Sequence, residues 1–486
     1  MHLHGMPVSP GFRPSRHHAG LGADFFDLVS PAEFPRHVLR YRNQDWAARV
    51  GLEGLSDAEW LDHFGRFAPL PGSFAEPLAL RYHGHQFQVY NPQLGDGRGF
   101  LFAQVHDLVD GRLLDLGTKG SGRTPWSRAG DGRLTLKGGV RELLASTLLE
   151  ALGVDTSKTF SLIETGEELA RSDEPSPTRS SVLVRLSHSH IRIGSFQRFA
   201  YHEDRAALSR LLDHAVATYL PEAWREDEAA RAVAFLEHVL ASVARTGAQW
   251  LAAGFVHGVL NTDNINITGE SFDYGPWRFL PTYDPGFTAA YFDHGGLYAF
   301  GRQPTTLLWN LTRLAECLLP LAPQGELERA LAAYRTVFPR ELAAAVLRRL
   351  ALRPAGEPAD GALVEALFEF LQLTQAPFEQ TFFDWRGGLA SAERSQGSPA
   401  AGHYAEAAFA PLRRALAEHE TAGDAGLGHP YFAGTRPVTL LIDEVEALWA
   451  PIATADDWAP LTARLAAIGR MAEACGTAPS PGGPPA

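Results

Sequence analysis

His257-Gly-Val-Leu-Asn-Thr-Asp263-Asn264, with Asp273-Tyr-Gly275 nine residues beyond Asn264, is the most specific signal in this chain. An Asn/Asp-rich run of this kind makes an ordinary turn. Residue usage lifts it above one. The chain holds six asparagines, Asn43, Asn91, Asn261, Asn264, Asn266 and Asn310, and three of them fall between 261 and 266. Lysine is scarcer still: Lys119, Lys137 and Lys158 stand against 40 arginines. Lysine and asparagine share AA-starting codons, so a GC-rich genome would account for this usage, which the coding sequence tests. The survivors mark positions where arginine or aspartate will not serve.

The order of the stretch matches the catalytic segment of protein kinases, which reads His-Arg-Asp, an Asn five residues after the Asp, then Asp-Phe-Gly. Asn264 stands five after Val259, and Asp273-Tyr-Gly275 fills the last slot. Val259 occupies the place of the catalytic aspartate and cannot accept a proton. Asp263, beside the candidate metal ligand Asn264, can.

Upstream, Gly117-Thr-Lys-Gly-Ser-Gly-Arg123 and Asp131-Gly-Arg133 precede an amphipathic stretch at 140–152 that carries Glu142. A strand-end lysine followed by a helical glutamate is how kinases set a Lys–Glu ion pair over nucleotide phosphates. Lys119 and Glu142 are the candidates; Lys137 and Lys158 are expected at the surface or on local carbonyls. In Leu94-Gly-Asp-Gly-Arg-Gly99 the glycines let backbone N–H groups approach a phosphate, and Arg98 adds a cationic fork. Such turns are common, and alone this one decides nothing. Arg185 shares a strand face with Leu183 and needs an anion or carboxylate, because a guanidinium is not buried alone; Arg192 lies seven residues on. His83, His85, His188 and His190 lack a third ligand at metal spacing and read as structural.

The rest of the chain sets the frame. Its 486 residues are about three average domains' worth, 45% hydrophobic and 20% charged, so a large core is available. Strand candidates lie at 100–108, 112–116, 159–164 and 182–186, with Asp110-Gly111 as a hairpin signal. Helices are expected near 57–67 and at 206–219, 228–253, 304–319, 325–352, 362–373, 404–418 and 456–474. Strands first and helices after predict an α+β chain of two lobes, with the site where they meet. Forty-three basic against 56 acidic residues leave a net charge of −13, which argues against nucleic acid or an anionic membrane as partner. No run reaches a membrane span, and no apolar signal core opens the chain, so a cytoplasmic location is expected. Cys317 and Cys475 are the only cysteines, which excludes a disulfide framework.

Taken together, Gly84-His-Gln-Phe87, Tyr90-Asn-Pro-Gln-Leu-Gly-Asp-Gly-Arg98, Lys119-Gly-Ser-Gly-Arg-Thr-Pro125, Gly130-Asp-Gly-Arg133, His190-Ile-Arg-Ile-Gly194 and His257–Asn264 closely resemble the selenoprotein O (YdiU-type) family. The resemblance runs from about 80 to 319; the segment beyond looks unlike the family's usual ending, and His83 replaces a usual small residue. It implies a protein-kinase-like two-lobed fold whose members bind ATP in a flipped orientation and transfer AMP to Ser, Thr or Tyr hydroxyls. The implied division is an N-terminal extension (1–79), a strand-rich N-lobe (80–205), a helical C-lobe (206–350), a further helical region (351–475) and a disordered tail (476–486). By the same resemblance Asp263 is the base, Asn264 and Asp273 hold Mg²⁺ (Mn²⁺ as alternative), and Gly95, Gly97, Arg98, Lys119, Asp131, Gly132, Arg185 and Arg192 contact ATP, with Glu142 as partner of Lys119. Protein acceptors, the chain itself among them, and a monomer are implied. The redox pair common near the family's C-terminus is reduced here to Cys475 alone. Two rival readings stay open: an ATP-binding pseudokinase scaffold without catalysis, and a kinase transferring the γ-phosphate.

Overall fold

The apolar runs Leu101–His106 and Leu113–Lys119 form adjacent antiparallel strands, with Gln104 opposite Asp115. The structure is a computed structural model that describes residues 8–172, 174–423 and 425–478. Asp107–Gly111 turns the pair: Gly111 takes φ +78°, and Asp110 Oδ1 accepts the Arg112 N–H. The second strand runs three residues past the expected end and delivers Lys119 at its tip. Lys158–Leu169 and Thr178–Ser187, both longer than expected, join the same nine-stranded sheet. Its main order is Phe26–Leu28, Leu78–Leu80, Leu101–His106, Leu113–Lys119, Thr178–Ser187, Lys158–Leu169, Val38–Arg42, every neighbour antiparallel. Both edges of this path are therefore strands from the first 42 residues, where the sequence reading placed none.

Side chains alternate between the two faces of the sheet. Val182, Val184 and Leu186 pack with Trp60, Phe64 and Phe160 on one side; Leu162 and Leu183 pack with Val140, Leu143 and Leu144 on the other. Those last three belong to the helix Leu136–Ala151, which begins four residues before its expected start. Thr135 caps it, its Oγ1 accepting the Gly138 N–H at 3.0 Å. Glycines 138 and 139 are poor helix formers and read as loop, but they let the helix press onto the sheet. A Cβ at Gly139 would lie 2.5 Å from Leu162 and 2.7 Å from Ser181.

The remainder is largely helical. Glu228–Ala252, capped by Asp227, packs on Gln303–Cys317 and Tyr334–Leu350. The expected 325–352 helix is two, Gln324–Ala332 and Tyr334–Leu350. The reading of 362–373 corresponds to Glu357–Thr374, that of 404–418 shortens to Phe409–Ala417, and Ile442–Ala455 was missed. Gly254, at φ +63°, turns the chain out of the long helix into Phe255–Val256, which pairs with Arg278–Phe279. This two-stranded tie closes the base of the loop holding His257–Asn264 and Asp273–Gly275. The last helix, Ala459–Cys475, packs against Leu136–Ala151, and Thr477 donates to the Ala151 carbonyl at 2.8 Å. Residues 479–486 of the expected tail lie outside the described residues. Among those described, no helix is long and apolar enough to cross a membrane. Both cysteines are free, Cys317 buried and Cys475 half-buried.

Candidate functional site

Between the end of the Leu113–Lys119 strand and the 257–275 loop lies a cleft of about 710 Å³, within the size range of small-molecule sites. Eleven residues singled out from sequence line it: Gly95, Gly97, Arg98, Lys119, Asp131, Gly132, Arg185, Arg192, Asp263, Asn264 and Asp273. Glu142 stands behind the wall. A second cavity, about 790 Å³, contains none of them; its arginines are committed to Asp107, Asp110, Asp155, Glu341 and the Gly153 carbonyl.

Lys119 Nζ donates to Glu142 Oε1 and, at 2.7 Å, to Asp273 Oδ1. Lys119 and Glu142 are about 5% exposed, so neither charge has solvent to fall back on. Arg185 Nη1 also donates to Asp273 Oδ1, at 3.3 Å, and supplies the carboxylate partner its strand position demanded. Asp273 Oδ2 accepts the Asn264 amide at 3.0 Å. Burial pushes the Asp273 carboxyl up, but Lys119, Arg185, Arg98 and Arg192 outweigh it and hold the group well below the usual carboxylate range. Asp273 also has φ +63°, unusual for a residue with a side chain.

Asp263 differs. Its Oδ1 is buried with no hydrogen-bond partner. Burial pushes its carboxyl up to about 6, against the pull of Arg192. Arg192 Nη2 pairs with Asp96 at 3.2 Å, its guanidinium lying over the Tyr82 ring at 4.2 Å. His257 Nε2 contacts the Phe272 carbonyl at 2.9 Å and so ties the two halves of the loop.

The glycines are required by packing. A Cβ on Gly95 would lie 2.4 Å from Trp126 Cγ, and one on Gly97 2.9 Å from the Trp126 carbonyl. Gly132 has φ +70°, and a Cβ there would meet the Gly122 carbonyl at 2.2 Å. Asp131 binds Arg171 Nη1 at 2.7 Å and the Arg133 N–H at 3.0 Å, so it shapes the rim.

Asn264 and Asp273 offer an amide oxygen and a carboxylate on one wall. Magnesium accepts one or two protein oxygens plus phosphates and water, so this pair fits it. Among the described residues no cluster of three or more His, Cys, Asp or Glu could hold a metal. The four histidines read as structural make local contacts: His83 Nδ1 meets Tyr90 Oη at 2.8 Å, and His85 Nδ1 meets the Gln197 amide at 2.7 Å. The His188 N–H donates to Glu270, and the His190 ring lies against Gly117. Lys137 and Lys158, expected at the surface or on local carbonyls, are half-buried and pair with the carboxylates of Glu446 and Glu150.

Tyr82, Trp126, Arg128 and Asn261 also line the cleft and were not chosen from sequence. Asn261 had a signal, its place among the rare asparagines. Its Oδ1 accepts from the Phe87 N–H and the Tyr298 hydroxyl.

A family model described as protein adenylyltransferase SelO matches residues 12–468. The match reaches well beyond the 80–319 expected and takes in most of the segment thought to depart from the family. Among similar curated proteins, a protein nucleotidyltransferase YdiU of Gloeobacter violaceus is 46% identical over 453 residues, 91% of this chain and 92% of its own. A second of that name, from Synechocystis sp., is 51% identical over 71% of this chain and 72% of its own. A third, from Trichodesmium erythraeum, is 41% identical over 90% and 94%.

Proposed function

The chain belongs to the SelO family of protein adenylyltransferases, and we propose that its cleft transfers AMP from ATP to Ser, Thr or Tyr hydroxyls of proteins, with Asp263 as the base. The observation that carries this is the separation of roles between two aspartates of one cleft. Asp273 is paired with Lys119 and Arg185, while Asp263 keeps an unpartnered oxygen and an affinity for protons near neutrality. A base with that affinity is mostly ionised at pH 7 and still takes a proton readily.

In this reading the acceptor hydroxyl gives its proton to Asp263 as its oxygen bonds to the α-phosphorus. The bond from that phosphorus to the bridging oxygen breaks, and pyrophosphate leaves with its electron pair. Such transfers depend on positioning and charge neutralisation. Lys119, held by Glu142, and Arg98, Arg185 and Arg192 restrain the phosphates. Gly95, Gly97 and Gly132 keep the rim thin enough for backbone to approach them. Asp131 orients Arg171 at the same rim. Asn264 and Asp273 would hold Mg²⁺, with Mn²⁺ as the alternative, which when bound offsets phosphate charge.

We read the sheet half and the helical half as the lobes of a kinase-like fold, 80–205 and 206–350, with 1–79 and 351–475 as additions. The reading is supported by the origin of the cleft residues: Lys119 comes from the sheet, and Asp263, Asn264 and Asp273 from the loop after the long helix. A cytoplasmic monomer acting on protein hydroxyls, its own included, completes it.

The test is incubation with Mg²⁺ and ATP labelled at either the α- or the γ-phosphate, with lysate as acceptor. Protein label from α alone is expected. Label from γ alone would make the chain a kinase, and none from either, with ATP bound, would make it a scaffold.

A further inference from the structure

Beside the cleft, Gly84–Gln86 and Val89–Asn91 form a small antiparallel hairpin with Gln86 opposite Val89, so Phe87-Gln88 is its two-residue loop. Both loop residues have positive φ, +49° and +63°. That is the turn for which Asn-Gly or Asp-Gly is strongly preferred, because side chains beyond Asn or Asp are strained there. An aromatic ring at the first position is a local conflict, and such conflicts concentrate at functional sites. The strain is held in place: the Phe87 N–H donates to Asn261 Oδ1 at 3.0 Å, and the ring packs on Tyr298 with centroids 4.9 Å apart.

The ring is nevertheless 36% exposed, and it abuts Phe292 (42%), which abuts Tyr291 (80%). Three aromatic side chains thus make one exposed patch. Asp293 fixes its far side by accepting the N–H groups of Leu297 and Tyr298 at 2.8 Å each. The hairpin also walls the candidate base, since a Cβ on Gly84 would lie 3.0 Å from Asp263 Oδ1. Three residues of extended chain, about 10 Å, separate Gly84 from Phe87.

We propose that Phe87, Tyr291 and Phe292 dock the acceptor protein through a large apolar side chain lying within about three residues of the modified hydroxyl. The proposal rests on Asp263 being the base. A protein nucleotidyltransferase must bring a protein segment to its cleft, and a hydroxyl at Asp263 places the next residues of an extended segment over this patch. Aromatic anchors in exposed patches are what such recognition uses.

The test uses the full chain, Mg²⁺ and α-labelled ATP with a pooled peptide library carrying one central Ser, Thr or Tyr between randomised flanks. Wild type is expected to label peptides with Leu, Met, Phe or Tyr within three positions of the hydroxyl about tenfold above those with Asp or Gly there. The double variant Phe87→Asn/Gln88→Gly installs the favoured turn and should fold at least as stably, keep its ATP affinity and lose the preference. Tyr291→Ser should weaken it. Labelling without flank preference in wild type, or a preference that survives in the double variant, overturns the docking site and leaves adenylyl transfer standing. A wild type that labels neither peptides nor lysate proteins overturns both.

Discussion

Asn264 and Asp273 meet side chain to side chain, amide nitrogen to carboxylate oxygen at 3.0 Å, while the other Asp273 oxygen is shared by Lys119 and Arg185. The carboxylate is therefore the junction between one neutral donor and two cations, and its removal changes the charge of the cleft as well as any metal site.

That dual position separates two effects in Asp273→Ala. With Mg²⁺ present, ATP affinity should fall about tenfold or more, the common cost of disturbing a metal site. With EDTA, affinity should rise above wild type, because a negative charge has left a cleft that takes a polyanion. Calorimetry under both conditions checks it, and equal affinity in the variant and wild type with Mg²⁺ would contradict the assignment.

Asp263→Asn keeps the shape of the side chain and removes the proposed base. ATP affinity should stay within about twofold and α-phosphate transfer should fall by roughly 10²–10⁴. Loss of binding in parallel with transfer would mean that Asp263 serves the nucleotide instead.

Glu142→Gln leaves Lys119 buried with Asp273 as its remaining anion. Breaking a buried pair from one side costs about 3 kcal/mol, read as a lower urea midpoint. The double variant Lys119→Met/Glu142→Leu should recover most of that stability and none of the transfer. A double variant no more stable than Glu142→Gln would show that the pair itself holds the helix to the sheet.

Three histidines far from the chemistry set the acid limit. Burial pushes His18 and His188 down to about 4 and His214 to about 3. Between those values and about 6.5 the unfolded chain binds protons that the folded chain refuses. Stability is thus full above pH 6.5 and declines as pH falls, by about 1–2 kcal/mol per histidine at pH 5. Urea unfolding across pH 5–7 measures it, and His214→Phe should flatten the slope. A slope unchanged in that variant would assign the acid loss elsewhere.

The residues that gather in the cleft were legible, the frame only partly. Lys119, Asn264 and Asp273, which the fold gathers into one cleft, stood out because their residue types are rare or ordered in a known pattern. Gly138 and Gly139 misled because helix propensity is local, whereas the reason for those glycines, the close approach of Leu162 and Ser181, comes from chain distant in sequence. The contacts of Asn261 were hidden for the same reason: its partners are Phe87 and Tyr298. The strands Phe26–Leu28 and Val38–Arg42 are only three and five residues long, and only their pairing makes them strands.

That pairing has a practical consequence. A shortened chain starting at residue 80 would strip both borders of the sheet at once and leave two rows of backbone N–H and C=O groups unmatched. The stretch so bared in the Lys158–Leu169 strand, Ser161–Glu164, is buried in the whole protein. Neighbouring molecules could stitch together there. The opening segment is what keeps this sheet from becoming a seed for aggregates.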